Sequence, residues 1–219
     1  MSRAWVLASR NAGKLRELRA LFATRGVQVM DLRDAGIAED VVAESGIELF
    51  DTFEENALAK ARYFAARLPG HVIVADDSGL VVEALGGAPG VRSKRWSGAT
   101  HLHGHALDAE NNRLLVASMA GERNRAARFV CAAAYCDGAL GLVARGEVVG
   151  EIIDEPLGTH GFGYDAHVFV GELGRTMAEA TLVEKETVSH RGRAFAALLA
   201  AVRARRGAEW SGEQCGSCS

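Results

Sequence analysis

The sequence predicts an α/β fold built on a mixed β-sheet with helices on its faces, and two observations lead to this prediction. In the first part of the chain, short apolar runs alternate with segments whose apolar residues recur at helical spacing, which is typical of parallel β-α units. Further along, strand-like runs follow one another, with a hairpin signal at Asp137-Gly138. Parallel units followed by antiparallel strands indicate one sheet that contains both strand directions.

The first elements follow from local signals. Residues 5–8 form a short apolar run that predicts a strand, and apolar residues at helical spacing predict a helix over 13–24. Residues 27–30 have the alternating side-chain pattern of a half-buried strand, which predicts a second strand. Thr52 and Glu55 have the spacing of a capping box, so we expect a helix to begin there.

The later elements are predicted from the same patterns. Residues 71–75 form an apolar run that is typical of a buried strand. The elements after it are a helix over 111–119, strands over 128–135, 140–144 and 148–153, and a last helix that starts near Ser189.

Composition limits the class of protein. With 219 residues and 48% hydrophobic content, the chain can bury a substantial core, and we predict one domain of two lobes over 1–207 and a disordered tail over 208–219. The net charge of −3 lacks the basic excess of a nucleic-acid-binding surface. No apolar run approaches the roughly 20 residues of a membrane-spanning helix, and the pattern of a secretory signal is absent. We therefore expect a cytoplasmic protein with neither a nucleic-acid nor a membrane partner.

The four cysteines do not indicate a disulfide framework in a chain of this size. Cys131 and Cys136 lie in a predicted strand, and we expect both to be core thiols. Cys215 and Cys218 form a CxxC in a tail rich in glycine and serine. A redox pair needs a strand and a helix around it to tune its thiolate, so we interpret this CxxC as part of the tail.

Residues 75–80, with the sequence Ala-Asp-Asp-Ser-Gly-Leu, place two adjacent carboxylates at the end of a predicted strand. Ligands bind at strand ends in open α/β sheets, and paired carboxylates repel each other unless a cation or a proton offsets their charge. The alternative interpretation is a helix that Asp77 or Ser78 caps and that runs through 80–85.

Residues 9–14, with the sequence Ser-Arg-Asn-Ala-Gly-Lys, form a small polar loop between the first strand and the first helix. Free backbone N–H groups and the positive end of a helix suit an anion, and Lys14 adds a charge for a phosphate. The loop lacks the spacing of a Walker A motif. A capped helix start with a solvated lysine is the alternative.

A glycine-dense stretch over 158–165 carries Phe162, Tyr164 and Asp165. An aromatic ring held on such a loop can stack on a base, and a carboxylate can accept a hydrogen bond from a ring N–H. An ordinary turn with core aromatics is the alternative.

Lys185 precedes a predicted helix start that carries His190 and Arg191. Cations in the first turn oppose the helix dipole, and a local conflict of this kind more often marks a functional site than an accident. A surface pair of His and Arg is the alternative.

Two further loops carry groups that can bind metals. Glu44 could be a hard oxygen ligand if the fold brings it near the paired carboxylates. His101, His103 and His105 alternate as ligands of a transition metal can, but the stretch has almost no carboxylate or cysteine partners. We interpret it as an exposed loop.

Taken in this order, the segments resemble the inosine/xanthosine triphosphate pyrophosphatase family, enzymes that remove deaminated purine nucleotides. The resemblance covers nearly the whole chain, roughly 5–205. Each motif alone is weak evidence for the family, but all of them in the same order along the chain make a specific match. The matching segments are Ser9-x-Asn11-x-x-Lys14, Glu44-Ser45-Gly46, Phe53-x-Glu55-Asn56-Ala57-x-x-Lys60-Ala61, Ala75-Asp76-Asp77-Ser78-Gly79-Leu80, Gly87-Ala88-Pro89-Gly90-Val91-x-Ser93-x-Arg95, Gly161-Phe162-Gly163-Tyr164-Asp165 and Ser189-His190-Arg191.

The resemblance implies an elongated fold with a central cleft between two lobes, usually in a homodimer. It implies Mg²⁺-dependent hydrolysis between the α- and β-phosphates, which yields a nucleoside monophosphate and pyrophosphate. It implies that Asp77 activates water and helps to hold the metal, and that Glu44 is a second metal ligand. The implied substrate-binding residues are Ser9, Arg10, Asn11, Ala12, Gly13, Lys14 and Ser78 at the triphosphate, and Phe162, Gly163, Tyr164, Asp165, Lys185, His190 and Arg191 at the base and its rim.

The resemblance also implies dITP, ITP and XTP as the substrates, and hydrogen-bond patterns give this specificity a physical basis. Hypoxanthine and xanthine carry a 6-oxo acceptor and an N1–H donor, which is the opposite of the adenine pattern. Arg191 or His190 could donate to the 6-oxo group while Asp165 accepts from a ring N–H. Adenine would then leave buried polar groups unpaired. Guanine also has a 6-oxo group, so its exclusion must involve the 2-position.

Two other functions fit parts of the pattern. A non-catalytic nucleotide sensor would keep the phosphate loop and lose the acidic groups, whereas Glu44 and the carboxylates at 76–77 are present. The third hypothesis is a related pyrophosphatase for modified pyrimidine or standard nucleotides. Ala166 stands where the family usually has a proline, a departure that concerns the geometry of the pocket loop and not the reaction.

Overall fold

The computed structural model describes residues 4–138 and 140–213. Its strands are β1 (Trp5–Leu7), β2 (Val29–Asp31), β3 (Val72–Val82), β4 (Ala126–Cys136), β5 (Gly141–Ile152), β6 (Val168–Val170) and β7 (Arg175–Thr176). Its α-helices are α1 (Ala12–Ala23), α2 (Val41–Ser45), α3 (Phe53–Ala65), α4 (Gly104–Ser118), α5 (Leu182–Val188) and α6 (His190–Glu213). Short 3-10 helices cover Glu83–Leu85, Gly90–Arg95 and Asp165–His167.

The described strands form one sheet in the order β2-β1-β3-β4-β5-β6-β7. β1 pairs in parallel with β2 and with β3, and each later pair in the sheet is antiparallel. The predicted α/β class and the predicted mixed sheet are therefore confirmed.

Helices cover both faces of this sheet. α3 packs on one face through apolar residues that include Phe53 and Phe64. α1 and α6 cover the other face, where the rings of Phe22 and Phe195 meet edge to face with centroids 5.7 Å apart. Because both faces are covered, the central strands are nearly continuous apolar runs, and a polar side chain within them needs a specific partner.

β3 is longer than the sequence predicts. The predicted strand ends at residue 75, but the structure continues through the paired carboxylates to Val82, so the alternative of a helix over 80–85 is wrong. The physical reason is β4, which pairs with β3 in antiparallel register from Ile73 to Val82. The parallel part of the sheet does end earlier, since β1 pairs with β3 no further than Val74. Asp76 and Asp77 therefore lie just beyond that parallel edge.

β5 is one strand where the sequence predicts two, over 140–144 and 148–153. Gly146, which interrupts the apolar pattern, has a packing role. A Cβ atom at this position would lie 2.3 Å from the carbonyl oxygen of His190 and 2.4 Å from the backbone nitrogen of Ala194. The glycine thus lets the first turn of α6 lie directly on β5.

Other predictions differ at element boundaries. α4 begins at Gly104, so His105 lies in a helix rather than in the predicted loop, although all three histidines of that stretch are exposed. The short elements α2, α5, β6 and β7 have no counterpart in the predictions. Cys131 and Cys136 are buried free thiols, as predicted.

The chain termini add two observations. α6 continues to Glu213, past the position 208 at which we predict the tail to begin; Cys215 and Cys218 lie outside the described residues. Among the described residues, no helix is both long and apolar enough to span a membrane.

Candidate functional site

One cavity of about 350 Å³ brings together segments that are far apart in the sequence. It lies beside β3 and is bounded by the loop before α1, by α2, by the glycine-rich loop before β6 and by the start of α6. Of the predicted site residues, it is lined by Ser9, Arg10, Asn11, Lys14, Glu44, Asp77, Ser78, Phe162, Gly163, Tyr164, Asp165, His190 and Arg191. Ala12, Gly13 and Lys185 are absent from this lining.

The loop before α1 presents a capped helix start to the cavity. Asn11 caps α1, because its side-chain oxygen accepts from the backbone nitrogen of Lys14 at 2.9 Å. The Ser9 hydroxyl accepts from the backbone nitrogen of Asn11 at 3.2 Å. Gly13 allows the Phe162 ring to lie against the helix, since a Cβ atom on Gly13 would be 2.3 Å from the ring. The loop over 9–14, called the phosphate loop for its predicted role, and the glycine-rich loop over 158–165, called the aromatic loop, are therefore in contact.

Asp76 is a fully buried carboxylate between two cations. Its Oδ2 atom lies 3.1 Å from Lys14 Nζ and 3.2 Å from Arg191 Nε. Burial disfavours the charge, but the nearby cations outweigh burial and hold the pKa of Asp76 far below its usual value. Asp76 is therefore ionised at neutral pH and orients Lys14 and Arg191.

Asp77 has a different environment, although it is the next residue. Its carboxylate accepts from Asn56 Nδ2 at 3.0 Å and from the backbone nitrogen of Ser78 at 2.9 Å. It forms no salt bridge with the described residues, and burial raises its pKa. A carboxylate that faces a cavity with a raised pKa can act as a base, and its charge is one that a bound cation would offset.

Three polar residues near Asp77 are not among the predicted site residues, namely Asn56, Lys60 and Glu48. Asn56 and Lys60 are four residues apart and so share one face of α3, which they direct towards β3. Lys60 Nζ donates to the carbonyl oxygen of Asp76 at 2.6 Å and also to the Glu48 carboxylate. Both α3 residues belong to the segment that matches the family, and their spacing is a signal that could have identified them.

Glu44 lines the cavity, but Arg10 binds its carboxylate. Arg10 Nη2 donates to Glu44 Oε1 at 2.8 Å and Arg10 Nε donates to Oε2 at 3.2 Å. Arg10 also donates to the carbonyl oxygens of Ile37 and Ala38, so it ties the segment before α2 to the phosphate loop. The hydrogen bond to Glu44 raises the pKa of Arg10.

The residues around Asp77 fit a magnesium ion only with help from the substrate. Within 4–138 and 140–213, no group of three or more His, Cys, Asp or Glu side chains could hold a metal ion. Mg²⁺ commonly binds through one or two carboxylates together with substrate phosphates and water. Asp77, whose buried carboxylate has no salt-bridge partner among the described residues, suits that mode of binding.

The aromatic loop is held from behind by polar contacts. Asp165 Oδ2 lies 2.7 Å from Lys185 Nζ, so Lys185 holds a residue of the cavity wall although it does not line the cavity itself. The Tyr164 hydroxyl donates to the carbonyl oxygen of Ser93 at 2.8 Å. Asn112 Nδ2 donates to the carbonyl oxygen of Gly163 at 3.0 Å. These contacts hold in place the loop that carries Phe162.

His190 and Arg191 differ in what they can offer to a ligand. Each guanidinium nitrogen of Arg191 already donates to a protein group, namely Asp76, Glu17 and Ser78. His190 stacks on Phe129 with ring centroids 4.9 Å apart, and its Nδ1 has no hydrogen-bond partner among the described residues. Burial lowers the pKa of His190 well below its usual value, so the ring is neutral at neutral pH.

Comparison with known proteins gives consistent matches over nearly the whole chain. The model of the Ham1 family matches residues 5–201. A dITP/XTP pyrophosphatase of Chromobacterium violaceum is 48% identical over 202 residues, which cover 91% of this chain and 96% of that protein. The dITP/XTP pyrophosphatase of Ralstonia nicotianae is 47% identical over 201 residues, which cover 90% and 96% of the two chains.

Solved structures agree with the fold. The Staphylococcus aureus Ham1 protein superposes with a TM-score of 0.74 at 32% identity and covers 93% of this chain and 100% of its own. A structure from Mycobacterium abscessus, titled nucleoside-triphosphatase / dITP/XTP pyrophosphatase, has a TM-score of 0.65 at 44% identity, with 90% and 98% of the two chains covered.

Proposed function

The chain belongs to the Ham1 family, and from that premise we propose that it hydrolyses dITP, ITP and XTP to the nucleoside monophosphate and pyrophosphate. The observation that carries this proposal is a single cavity that brings Lys14, Asp77 and His190 together from distant parts of the chain. A cation that suits phosphates, a carboxylate that suits a base and a neutral ring that suits a purine therefore line the same cavity, which supports the proposal.

The triphosphate is expected to bind at the start of α1. Backbone N–H groups at a helix N-terminus suit phosphate oxygens, and Lys14 adds a full positive charge. Lys14 is already oriented by Asp76, so little ordering is required when the substrate arrives. Lys60, which lines the same cavity from α3, is a second cation within the site.

Asp77 is the group that we expect to take a proton from the attacking water. Its two hydrogen bonds, from Asn56 and Ser78, fix the carboxylate in one orientation. Water attacks phosphorus efficiently when a positioned base accepts its proton. Asp77 and Glu44 are the residues that would hold Mg²⁺, whose charge offsets that of the polyphosphate.

The base is expected to lie between Phe162 and the start of α6. Neutral His190 can donate one hydrogen bond to a 6-oxo group. Each guanidinium nitrogen of Arg191 already donates to a protein group, which favours His190 over Arg191 for this role. Asp165 can accept from a ring N–H. An adenine ring would present a donor and an acceptor in the opposite places, which leaves both protein groups unpaired.

The assembly and location of the protein are part of the same proposal. We expect a homodimer and a cytoplasmic enzyme, as the family resemblance implies. Light scattering coupled to size-exclusion chromatography measures the assembly, and a mass of one chain would contradict the dimer.

A substrate panel tests the proposed reaction. The protein is incubated with ITP, dITP, XTP, GTP and ATP, with and without Mg²⁺, and phosphorus NMR follows the products. We expect pyrophosphate and monophosphate from the first three nucleotides, and only with Mg²⁺. Release of orthophosphate would contradict the proposed bond cleavage, and tight binding without turnover would indicate a sensor instead. Preferred turnover of a standard or modified pyrimidine nucleotide would indicate the third hypothesis.

A further inference from the structure

A carboxylate of α4, that of Asp108, lines the cavity beside the aromatic loop. Its Oδ2 atom accepts from the backbone nitrogen of Gly163 at 3.0 Å. Gly163 directly follows Phe162, whose ring is expected to contact the base. Asp108 therefore lies at the base end of the cavity, the end that carries the aromatic loop.

α4 fixes the place of this carboxylate. Asn112 lies four residues after Asp108, so the two side chains share one face of the helix. Asn112 Nδ2 donates to the carbonyl oxygen of Gly163 at 3.0 Å. Both polar backbone groups of Gly163 are thus bound by α4, and the carboxylate and the aromatic loop are held against each other.

The buried charged groups behind the base end are paired with one another. They form a row in which carboxylates alternate with cations, and each member lies within 3.2 Å of the next. The members, in order, are Asp165, Lys185, Glu17, Arg191, Asp76 and Lys14. Three negative charges balance three positive charges, so the field of the row on a neighbouring base is weak.

Asp108 differs from this row, because it forms no salt bridge with any described residue. Its charge acts on the aromatic loop, since burial and then the charge of Asp108 raise the pKa of the Tyr164 hydroxyl. His190 adds no charge at neutral pH, because burial lowers its pKa well below its usual value. Lys94 and Arg95 also line the cavity, but they are exposed and solvent screens their charges.

The bases of the proposed substrates differ in charge. Hypoxanthine, the base of ITP and dITP, is neutral at neutral pH. Xanthine carries oxo groups at positions 2 and 6, is the more acidic ring and loses a proton near neutral pH. A carboxylate beside the base therefore repels the ionised xanthine of XTP and has no such effect on hypoxanthine.

We propose that Asp108 is a specificity-determining residue, whose negative charge at the base end of the cavity disfavours ionised xanthine and so lowers the affinity for XTP relative to ITP. The inference rests on the proposed function, because it takes the base to lie beside Phe162.

The test compares nucleotide affinities in the variant Asp108→Asn. This change removes the charge, while the amide oxygen can still accept from the backbone nitrogen of Gly163. Calorimetry in EDTA, slightly above neutral pH, measures the dissociation constants of ITP and XTP without turnover. We expect XTP to bind about fivefold more tightly and ITP to change by less than about twofold, the size of effect that one charge has a few ångströms from another near a protein surface.

Ultraviolet absorbance gives a second readout, which a change in folding alone would not move. Neutral and ionised xanthine have different spectra, so the spectrum of bound XTP measures how much of the base is ionised. In wild type, bound XTP should be less ionised than free XTP at the same pH. In Asp108→Asn, the ionised fraction of bound XTP should rise towards that of free XTP.

Two variants are matched controls. Asp108→Glu keeps the charge, so we expect the ratio of the two dissociation constants to stay close to that of wild type. Glu110→Gln removes a charge from the same helix, but Glu110 pairs with exposed Arg113 on the surface. Its ratio should stay within about twofold of wild type, because exposed charges act weakly at a distance. An equal gain in XTP affinity in Glu110→Gln would overturn the inference.

The outcomes are separable. If Asp108→Asn does not fold, Asp108→Ser, which also removes the charge, takes its place. The inference is overturned if the uncharged variant keeps the wild-type ratio, if it tightens ITP and XTP by the same factor, or if XTP bound to wild type is as ionised as free XTP.

Pyrophosphate release from ITP by wild type, measured separately with Mg²⁺, tests the reaction. If that release is absent and XTP affinity still depends on the charge of Asp108, the proposed reaction fails and the inference stands. If release occurs and the ratio does not respond to Asp108, the inference alone fails.

Discussion

Asp76 and Asp77 are consecutive residues of β3, and the fold moves the pKa values of their carboxyl groups in opposite directions. Side chains alternate across a strand, so Asp76 faces α1 and α6 and contacts the cations of Lys14 and Arg191. Asp77 lines the cavity and is held by an uncharged amide, that of Asn56. The pair therefore combines a permanently charged anchor with a carboxylate that can exchange a proton.

For Asp77→Asn we expect turnover of ITP to fall by about 100-fold or more, the usual size of a lost general base. Thermal unfolding without Mg²⁺ should show no loss of stability at neutral pH. The sign follows from the raised pKa of Asp77, because its buried charge destabilises the folded state above that pKa and the penalty disappears as the pH falls. A variant that keeps more than about a tenth of the wild-type rate, a change under 1.4 kcal/mol, would show that Asp77 is not the key group.

Asp76→Asn should instead act on stability. Removing this carboxylate leaves two buried cations with one partner fewer, which typically costs about 3–5 kcal/mol of unfolding free energy. The lowered pKa of Asp76 means that its contribution is present above the unfolded value of about 3.9 and is lost as the pH falls through the folded value.

Chemical denaturation at neutral and acidic pH measures the effect of Asp76→Asn. The deficit should be largest at neutral pH and shrink in acid. Asp154→Asn is the control, since Asp154 forms an exposed ion pair with Arg125 and we expect less than about 1 kcal/mol. Equal losses in the two variants would refute the role of Asp76 as a buried anchor.

His190→Phe should separate recognition from chemistry. A phenyl ring can keep the stack on Phe129 but cannot donate to a 6-oxo group. We expect kcat/KM for ITP to approach that for ATP, while the fold is retained. A preference for ITP that is unchanged in steady-state kinetics would assign base recognition to another residue.

The same variant should change the pH dependence of stability. The unfolded histidine binds a proton near pH 6.5, about its usual value, whereas burial keeps the folded ring neutral to much lower pH. Wild type should therefore lose stability relative to His190→Phe as the pH falls below that value, by up to about 1.4 kcal/mol per pH unit. Parallel curves for the two proteins would show that the pKa of His190 is the same in the folded and the unfolded state.

Gly13→Ala should displace the aromatic loop from the phosphate loop. The added Cβ atom would lie 2.3 Å from the Phe162 ring, so the ring must move. Overpacking of this kind costs about 1–3 kcal/mol, and we expect KM for ITP to rise about tenfold. Gly171→Ala, where a Cβ meets no atom within 4 Å, is the control and should leave KM unchanged. A rise in both variants would point to a general effect on folding.

Local chemistry made much of the fold predictable. Asn11 and Thr52 cap helices that begin where the sequence predicts them, because a capping side chain acts on backbone groups only a few residues away. The hairpin after β4 follows from the Asp137-Gly138 signal for the same reason. The course of β3 was not predictable, because it is extended by pairing with a strand that lies more than forty positions further along the chain.

Sequence patterns alone identified four segments that the structure brings to one cavity: the loop before α1, the paired carboxylates, the glycine-rich aromatic loop and the start of α6. The partner of each charged group, by contrast, depends on the tertiary structure. Glu17 meets its cations across 168 and 174 positions of the chain, and Arg10 reaches Glu44 across 34. Residue types and spacings report contacts within a few residues, whereas the pairing of buried charges depends on which surfaces the packed helices and strands bring within hydrogen-bonding distance.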